Sequence, residues 1–386
     1  VSASPMLYLD TAATTPVRRE ALEAAWPYLT GTFGNPSSHH AVGEAAAAGL
    51  ADARRRVAAV LGVRRSDIVF TAGGTEAANL AIKGLALAAP RGKHLVTAAT
   101  EHDAVLESIG FLERVHGFEV SPVPLAADGS VTVEALRSVL REDTTLVSLA
   151  LANNEIGTVT DIRPLADLAH EAGALIHTDA VQAAGWIDLR DLGVDALTLS
   201  GHKVGAPKGI GLAMVRGRLP LEPVIHGGGQ ENARRSGTEN VAFAVALAVA
   251  LELAEAERTE RAARVSPLRD LLLEAVLTAR PDALLTGADP RRGDARLPGH
   301  LSFCLPGRSG ESVLLDLAER GVIASSGSAC AAGSDEPSHV LTALDIPREL
   351  AQSAVRCTLP GDLSPAQAEA AVAALVEVIA QGAVTD

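Results

Sequence analysis

Between about residues 66 and 215 the chain alternates short apolar runs with stretches of helical period, and this alternation constrains the fold more than any other feature. The strand candidates are "DIVFTA" (67–72), "HLVTAA" (94–99), "TLVSLALA" (145–152), "ALIHTD" (174–179) and "ALTLS" (196–200). Strands separated by helical patterns point to a layered α/β sheet. Each run closes on polar residues that a plain turn does not need: "GGTE" (73–76), "EHD" (101–103), "NNE" (153–155), "HTD" (177–179) and "SGHK" (200–203). In open α/β sheets ligands bind outside the carboxyl ends of the strands. One polar strand end is commonplace; five suggest convergence on one ligand.

After about residue 255 the pattern changes. "ERTERAARVSPLRDLLLEAVLTARPDALL" (257–285) reads as a charged amphipathic helix leading away from the first unit. Strand candidates "HLSFCL" (300–305) and "SAVRCTL" (353–359), with helices near 311–320 and 365–381, describe a smaller α+β unit. We therefore expect a large domain over 15–260 and a small one over 1–14 and 261–386. The 386 residues suffice for two such domains. With 47% hydrophobic but only 3% aromatic residues, the core must be built mainly from Ala, Val and Leu.

The formal charge of -14, with no long basic run, disfavours direct contact with nucleic acid or an anionic membrane; "RRR" at 54–56 sits in a helical pattern. The apolar run "VAFAVALAVALELA" (241–254) is shorter than the roughly 20 residues a bilayer requires. "VSASPMLYLDTAATTP" lacks the basic and apolar regions of an export signal. Cys304, Cys330 and Cys357 cannot all pair, and no C-x-x-C or H-x-x-x-H spacing suggests a metal site. Reduced thiols in the cytoplasm are the expectation.

The chemistry concentrates in "LTLSGHKVGAPKGIG". Lys203 follows a strand end, where desolvation can lower an amine's pKa and suit it to a Schiff base; Lys208 reads better as a solvated surface lysine. Asp179, in "HTDAVQ" at the end of the preceding strand, meets the demand of pyridoxal phosphate for a carboxylate opposite its ring nitrogen. The competing role for Asp179 is that of N-cap of a helix starting at Ala180. "TAGGTEAANLAIKG" (71–84) sets a glycine pair and a threonine ahead of a helix, where free amides and the helix dipole favour an anion. Ser200 and His202 could add donors to the same phosphate.

These segments, together with "YLDTAATTP", "FGNPSS", "TEHDAVL", "ANNEIGT", "HGGGQE", "RRSGTEN" and "SSGSAC", resemble the cysteine desulfurases of the NifS/IscS type from residue 8 to about 360. That family consists of pyridoxal-phosphate enzymes of fold type I, like aspartate aminotransferase, with a mostly parallel central sheet. The resemblance implies that Lys203 holds the cofactor and Cys330 accepts sulfur. It implies that Asp179 pairs with the ring nitrogen, Gln182 bonds the ring hydroxyl, and Asn154 sits by that hydroxyl and the substrate carboxylate. Gly74, Thr75, Ser200 and His202 would hold the phosphate, with Thr238 entering from the second subunit of a homodimer. His102 would stack on the ring as an acid/base, and Arg356 would clamp the carboxylate of L-cysteine.

Independent reasoning agrees with several of these roles. A histidine at a strand end, with an unperturbed pKa of about 6.5, suits proton exchange near neutrality, although a core histidine is the alternative for His102. Alternation in "SAVRCTL" puts Arg356 on the face opposite Val355 and Cys357, and its planar fork suits a carboxylate. Cys330 lies among small residues between Gly327 and Gly333, a setting for a nucleophile that must travel rather than for a packed thiol. Cys304 reads as buried and inert; Cys357 should point away from Arg356.

The expected reaction converts L-cysteine to L-alanine, leaving sulfur on Cys330 as a persulfide for a protein acceptor serving iron–sulfur assembly or tRNA or DNA thiolation. A selenocysteine lyase or aminotransferase of the same fold, or a sulfur-relay scaffold without catalysis, are the rival expectations. Two departures from the family pattern stand out. "RCTLPGD" (356–362) replaces an aromatic, Ser, Leu, Gly continuation, and Thr11 follows Asp10 where His, Tyr or Asn is usual.

Overall fold

The computed structural model describes residues 6–293, 295–326 and 336–380. In chain order its elements are β1 (Leu7–Tyr8), α1 (Arg19–Thr30), α2 (Ala41–Leu61), β2 (Ile68–Thr71), α3 (Gly74–Ala88), β3 (His94–Thr97), α4 (Asp103–His116) and β4 (Glu119–Pro122). There follow α5 (Val133–Val139), β5 (Thr144–Ala150), α6 (Ile162–Glu171), β6 (Leu175–Asp179), β7 (Ala196–Ser200), β8 (Gly211–Val215), α7 (Val241–Ala256) and α8 (Arg258–Ala279). The remainder holds β9 (Leu284–Leu285), β10 (His300–Cys304), α9 (Gly310–Glu319), β11 (Val322–Ile323), α10 (His339–Ala343), α11 (Arg348–Ala351), β12 (Ala354–Thr358) and α12 (Pro365–Ala380).

Seven strands form the main sheet in the order β2-β8-β7-β6-β5-β3-β4. The pairs from β7 through β4 are parallel, and β8 alone runs against its neighbours, so β2 regains the common direction. All five strand ends singled out in the sequence therefore open on one edge of the sheet.

The alternation of side chains explains why these strands read as unbroken apolar runs: both faces are covered. Ile68, Phe70, Val96, Val147, Leu197, Leu212 and Met214 join one cluster with α1, α2, α6 and α7. Val69, Leu95, Leu146, Ala196, Ala213 and Val215 face the other way into a cluster with α3 and α4. Alanine dominates the helices' buried faces, which lets them lie close to the sheet; α7 alone buries Ala242, Ala244, Ala246, Ala248, Ala250 and Ala254. The three arginines at 54–56 are consumed in ion pairs with Glu231, Asp52 and Glu252. No described helix is long and apolar enough to cross a membrane.

A second cluster forms around the antiparallel sheet β12-β10-β9, covered by α8, α9 and α12. Its members include Leu9 from the start of the chain, and β1 pairs in parallel with β11. The segment after β1 crosses from this cluster to the end of the main sheet, where Thr15 donates its amide to the carbonyl of His202 at 2.9 Å. That crossing brings the N-terminal segment to the site.

Strand β8 also touches the site through its first residue. A side chain at Gly211 would lie 2.6–2.8 Å from the backbone of Gly73 and the carbonyl of Leu199, with no flexible atom to yield. We predict that Gly211→Ala lowers stability by ~1–3 kcal/mol, the range for overpacking. The midpoint of urea unfolding measures this, and an unchanged midpoint would contradict the close packing.

Candidate functional site

Strands β6 and β7 pair so that Asp179 lies opposite Thr198, and β7 ends at Ser200. One 3₁₀ turn, Gly201–Lys203, then carries the lysine back over the strand ends. The turn is tight, since a side chain on Gly201 would lie 2.7 Å from Ile210. The Lys203 amine donates to the carbonyls of Ala12 and Ala13, the latter at 2.8 Å. Gln182 reaches the same Ala12 carbonyl at 3.1 Å. These contacts define one wall of a cavity of about 1000 Å³.

Gly74, Thr75, His102, Asn154, Asp179, Gln182, Ser200, His202, Lys203 and Arg356 all line it. Lys208 lines it too, but is exposed, as expected of a solvated lysine. A second cavity, about 750 Å³, abuts the first across Lys203 but does not include Asp179 or His102.

Burial raises the pKa of Asp179; the Val181 amide at 2.9 Å, His102, Lys203 and the Thr198 hydroxyl work against that rise. The helix expected from Ala180 does not form: residues 181–186 are turn, and the Asp179 carboxylate accepts the Val181 amide while lining the cavity. Burial also pushes His202 down to about 4, with Lys203 and Lys208 adding to the effect, so its imidazole is neutral at pH 7. Its Nδ1 lies 3.0 Å from the Thr14 hydroxyl, leaving Nε2 to donate when Nδ1 accepts. Opposite it, α3 begins at Gly74 without a side-chain cap, so its first-turn amides have no partner within the helix. A side chain at Gly74 would meet Ser200 at 3.1 Å and Val181 at 3.2 Å, filling the space in front of those amides. Glu76 in the same turn is neutralised by Arg235 at 2.8 Å.

His102 caps α4: its Nδ1 accepts the Ala104 amide at 3.0 Å, which leaves the other ring nitrogen for the cavity. The "NNE" stretch divides its labour. Asn153 is structural, accepting the amides of Glu155 and Ile156 and donating to the Thr100 carbonyl. Asn154 faces the cavity, and its carbonyl accepts from Arg356 at 3.1 Å. Arg356 is only 1% exposed and pairs with Asp10 at 2.7 Å. Alternation holds in β12: Val355 and Cys357 join the second apolar cluster while Arg356 faces the cavity.

Thr238 is exposed and does not line the cavity of its own chain. Cys330 lies outside the described residues. On either side of that gap, Ser325 exchanges backbone hydrogen bonds with Arg356, and Ser338 donates its hydroxyl to the Glu155 carboxylate. Cys304 and Cys357 are both buried, and desolvation pushes each thiol up to about 12, far from a thiolate at neutral pH.

Glu101 was not marked as a site residue by the sequence. It is fully buried beside Asp179, and desolvation pushes its carboxyl up to about 8. One oxygen accepts the Ala150 amide at 2.9 Å; the other has no hydrogen-bond partner among the described residues. The Ala12 and Ala13 carbonyls were missed as well, because a backbone acceptor leaves no mark on residue type.

As a donor set, the cavity fits pyridoxal phosphate. Unpartnered helix amides beside Ser200 and His202 suit a phosphate, Asp179 suits a ring nitrogen, and Lys203 suits the aldehyde carbon.

Residues 7–360 match the aminotransferase class-V family. The chain is 45% identical to the cysteine desulfurase IscS of Dictyoglomus turgidum over 356 residues, covering 92% of this chain and 89% of that one. Among solved structures, a NifS-like protein superposes with a TM-score of 0.89 at 34% identity, covering 97% of this chain and 99% of the other. SspA in complex with cysteine gives 0.77 at 36% identity, covering 92% and 99%.

Glu101 makes a prediction. Its pKa is about 8 when folded against an ordinary 4.5, so between those values the folded state binds more protons than the unfolded one. Stability from this group therefore falls as pH rises through that window. Glu101→Gln cannot ionise, so its melting temperature should gain on wild type steadily from pH 5 to about pH 8. A difference that stays constant across that range would contradict the assignment.

Proposed function

Because the chain belongs to the class-V aminotransferase family, we propose that it is a cysteine desulfurase using pyridoxal 5'-phosphate. The observation that carries this reading is the convergence of Lys203, Asp179 and Arg356 with the uncapped start of α3 in one cavity. When bound, the cofactor supplies an electron sink for the charge left when the substrate Cα loses its proton.

The chain's own residues do the rest. Arg356 takes the substrate carboxylate as a two-pronged donor, with Asn154 alongside. Asp179, which burial disposes against ionisation, stays charged when a protonated ring nitrogen lies opposite it. Lys203, as the free amine, would take the proton from the substrate Cα and return one there as the product forms. His102 would cover the ring and exchange protons through its cavity-facing nitrogen. The Cys330 thiolate attacks the substrate sulfur. A new S–S bond forms, the Cβ–Sγ bond breaks, and its electron pair remains on Cβ, which takes a proton and departs as alanine. The product is a persulfide on Cys330, for a protein acceptor in iron–sulfur assembly or other sulfur transfer.

Two domains, 15–260 and 1–14 with 261–386, belong to the same reading, supported by the separate apolar clusters on which they are built. So does a cytoplasmic, reducing location. A homodimer is supported by α1, which exposes Leu22, Trp26 and Leu29 at helical spacing, with Phe33 just beyond. Thr238, exposed on its own chain, is then available to the phosphate of the partner. Sedimentation equilibrium should give twice the 39.6 kDa chain mass; a single species of one chain would contradict the dimer.

The activity is tested by incubating the purified holoenzyme with L-cysteine and no keto acid. Alanine should form, with persulfide on Cys330. Cys330→Ser should keep the cofactor's absorbance but fall by at least about a hundredfold in turnover, as expected when a nucleophile is removed. Keto-acid-dependent transamination, or undiminished turnover in Cys330→Ser, would overturn the reading.

A further inference from the structure

His300 opens β10, lines the second cavity and is 2% exposed. Its Nε2 lies 3.1 Å from the backbone carbonyl of Asn154, the same oxygen that accepts from Arg356. Its Nδ1 lies 3.5 Å from the Arg296 guanidinium, which itself donates to the carbonyl of His300 at 3.3 Å. Arg296 is buried and fixed by the carbonyls of Thr286 and Ala288, the latter at 2.6 Å. The imidazole is accommodated by Gly157, at φ +71°, where a side chain would come within 2.5 Å of the ring.

The proton position follows from chemistry. A guanidinium only donates, so the ring nitrogen facing Arg296 must be the acceptor. Burial, with Arg296 and Arg356 nearby, holds His300 well below its ordinary pKa, so the ring carries one proton. That proton sits on Nε2 and points at Asn154. The carbonyl thus has two donors, and it joins two residues that line the cavity.

We propose that His300 is a positioning residue for carboxylate recognition: its Nε2–H holds the Asn154 carbonyl, and through that shared oxygen it sets the Arg356 fork and the Asn154 side chain together. The arrangement puts the demand on a neutral donor. A cation there would repel Arg356, and an apolar ring would leave the carbonyl with Arg356 alone.

This inference rests on the desulfurase reading, and the test separates the two. His300→Phe keeps the ring's volume without a donor, and His300→Gln keeps an N–H of similar reach. Losing one buried hydrogen bond is worth about 1 kcal/mol or more, so His300→Phe should raise the KM for L-cysteine by about five- to tenfold with kcat changed less than about threefold. His300→Gln should restore most of that loss. Binding of cysteamine, which has the thiol and amine but no carboxylate, should be unchanged in both variants when followed by cofactor absorbance.

The proposal is overturned if His300→Phe leaves KM as in wild type, if cysteamine binding weakens equally, or if His300→Gln behaves like His300→Phe. Loss of folding or cofactor in His300→Phe also counts against it, since a positioning role leaves the holoenzyme intact. A wild-type protein without desulfurase activity would instead defeat the underlying reading.

Discussion

The parallel pairing of β6 with β7 is the constraint on which the site depends. It sets a carboxylate and an amine on adjacent strand ends, Asp179 on one and Lys203 one turn beyond the other. Both face a common cavity, where burial raises the pKa of the carboxyl. Low polarity makes each interaction stronger than it would be in water, and each unsatisfied group more costly. The remaining structure answers that demand: the N-terminal segment brings carbonyls to the lysine, and Thr198 and Val181 bring donors to the aspartate.

The N-terminal crossing also couples the two apolar clusters. Leu9 packs with β10 and β12, Asp10 pairs with Arg356, and Ala12 and Ala13 meet Lys203. Residues 10–13 thus link Arg356 to Lys203. Beneath them, buried carboxyls differ in role. Asp179 faces cations and donors, whereas Glu101 lies deeper with one amide donor and is protonated at neutral pH.

Much of this was legible in the sequence, and the rest was hidden for physical reasons. The five strand ends were visible because apolar runs closing on polar residues need explanation. Strand β8 was not marked, because it follows the glycine-rich turn after Lys203, and its antiparallel direction leaves no crossover helix as a sign. β4 is a partly exposed edge strand ending in Pro122, and β1, β9 and β11 are two residues each. In the site, many of the side chains that line the cavity could be named from the sequence, though Glu101 and His300 could not. Groups acting through backbone atoms could not: Ala12, Ala13 and the carbonyl of Asn154 carry no signature. His300 was read as part of an apolar strand, since only the tertiary fold brings it to the Asn154 carbonyl.

The central claim is a covalent bond between the Lys203 amine and the aldehyde carbon of pyridoxal phosphate. Reducing the purified protein with borohydride fixes such a bond, and peptide mass mapping then locates it. The claim requires the phosphopyridoxyl mass on Lys203, with Lys208 unmodified. Label on Lys208 alone, or on no lysine of a fully loaded protein, would contradict it.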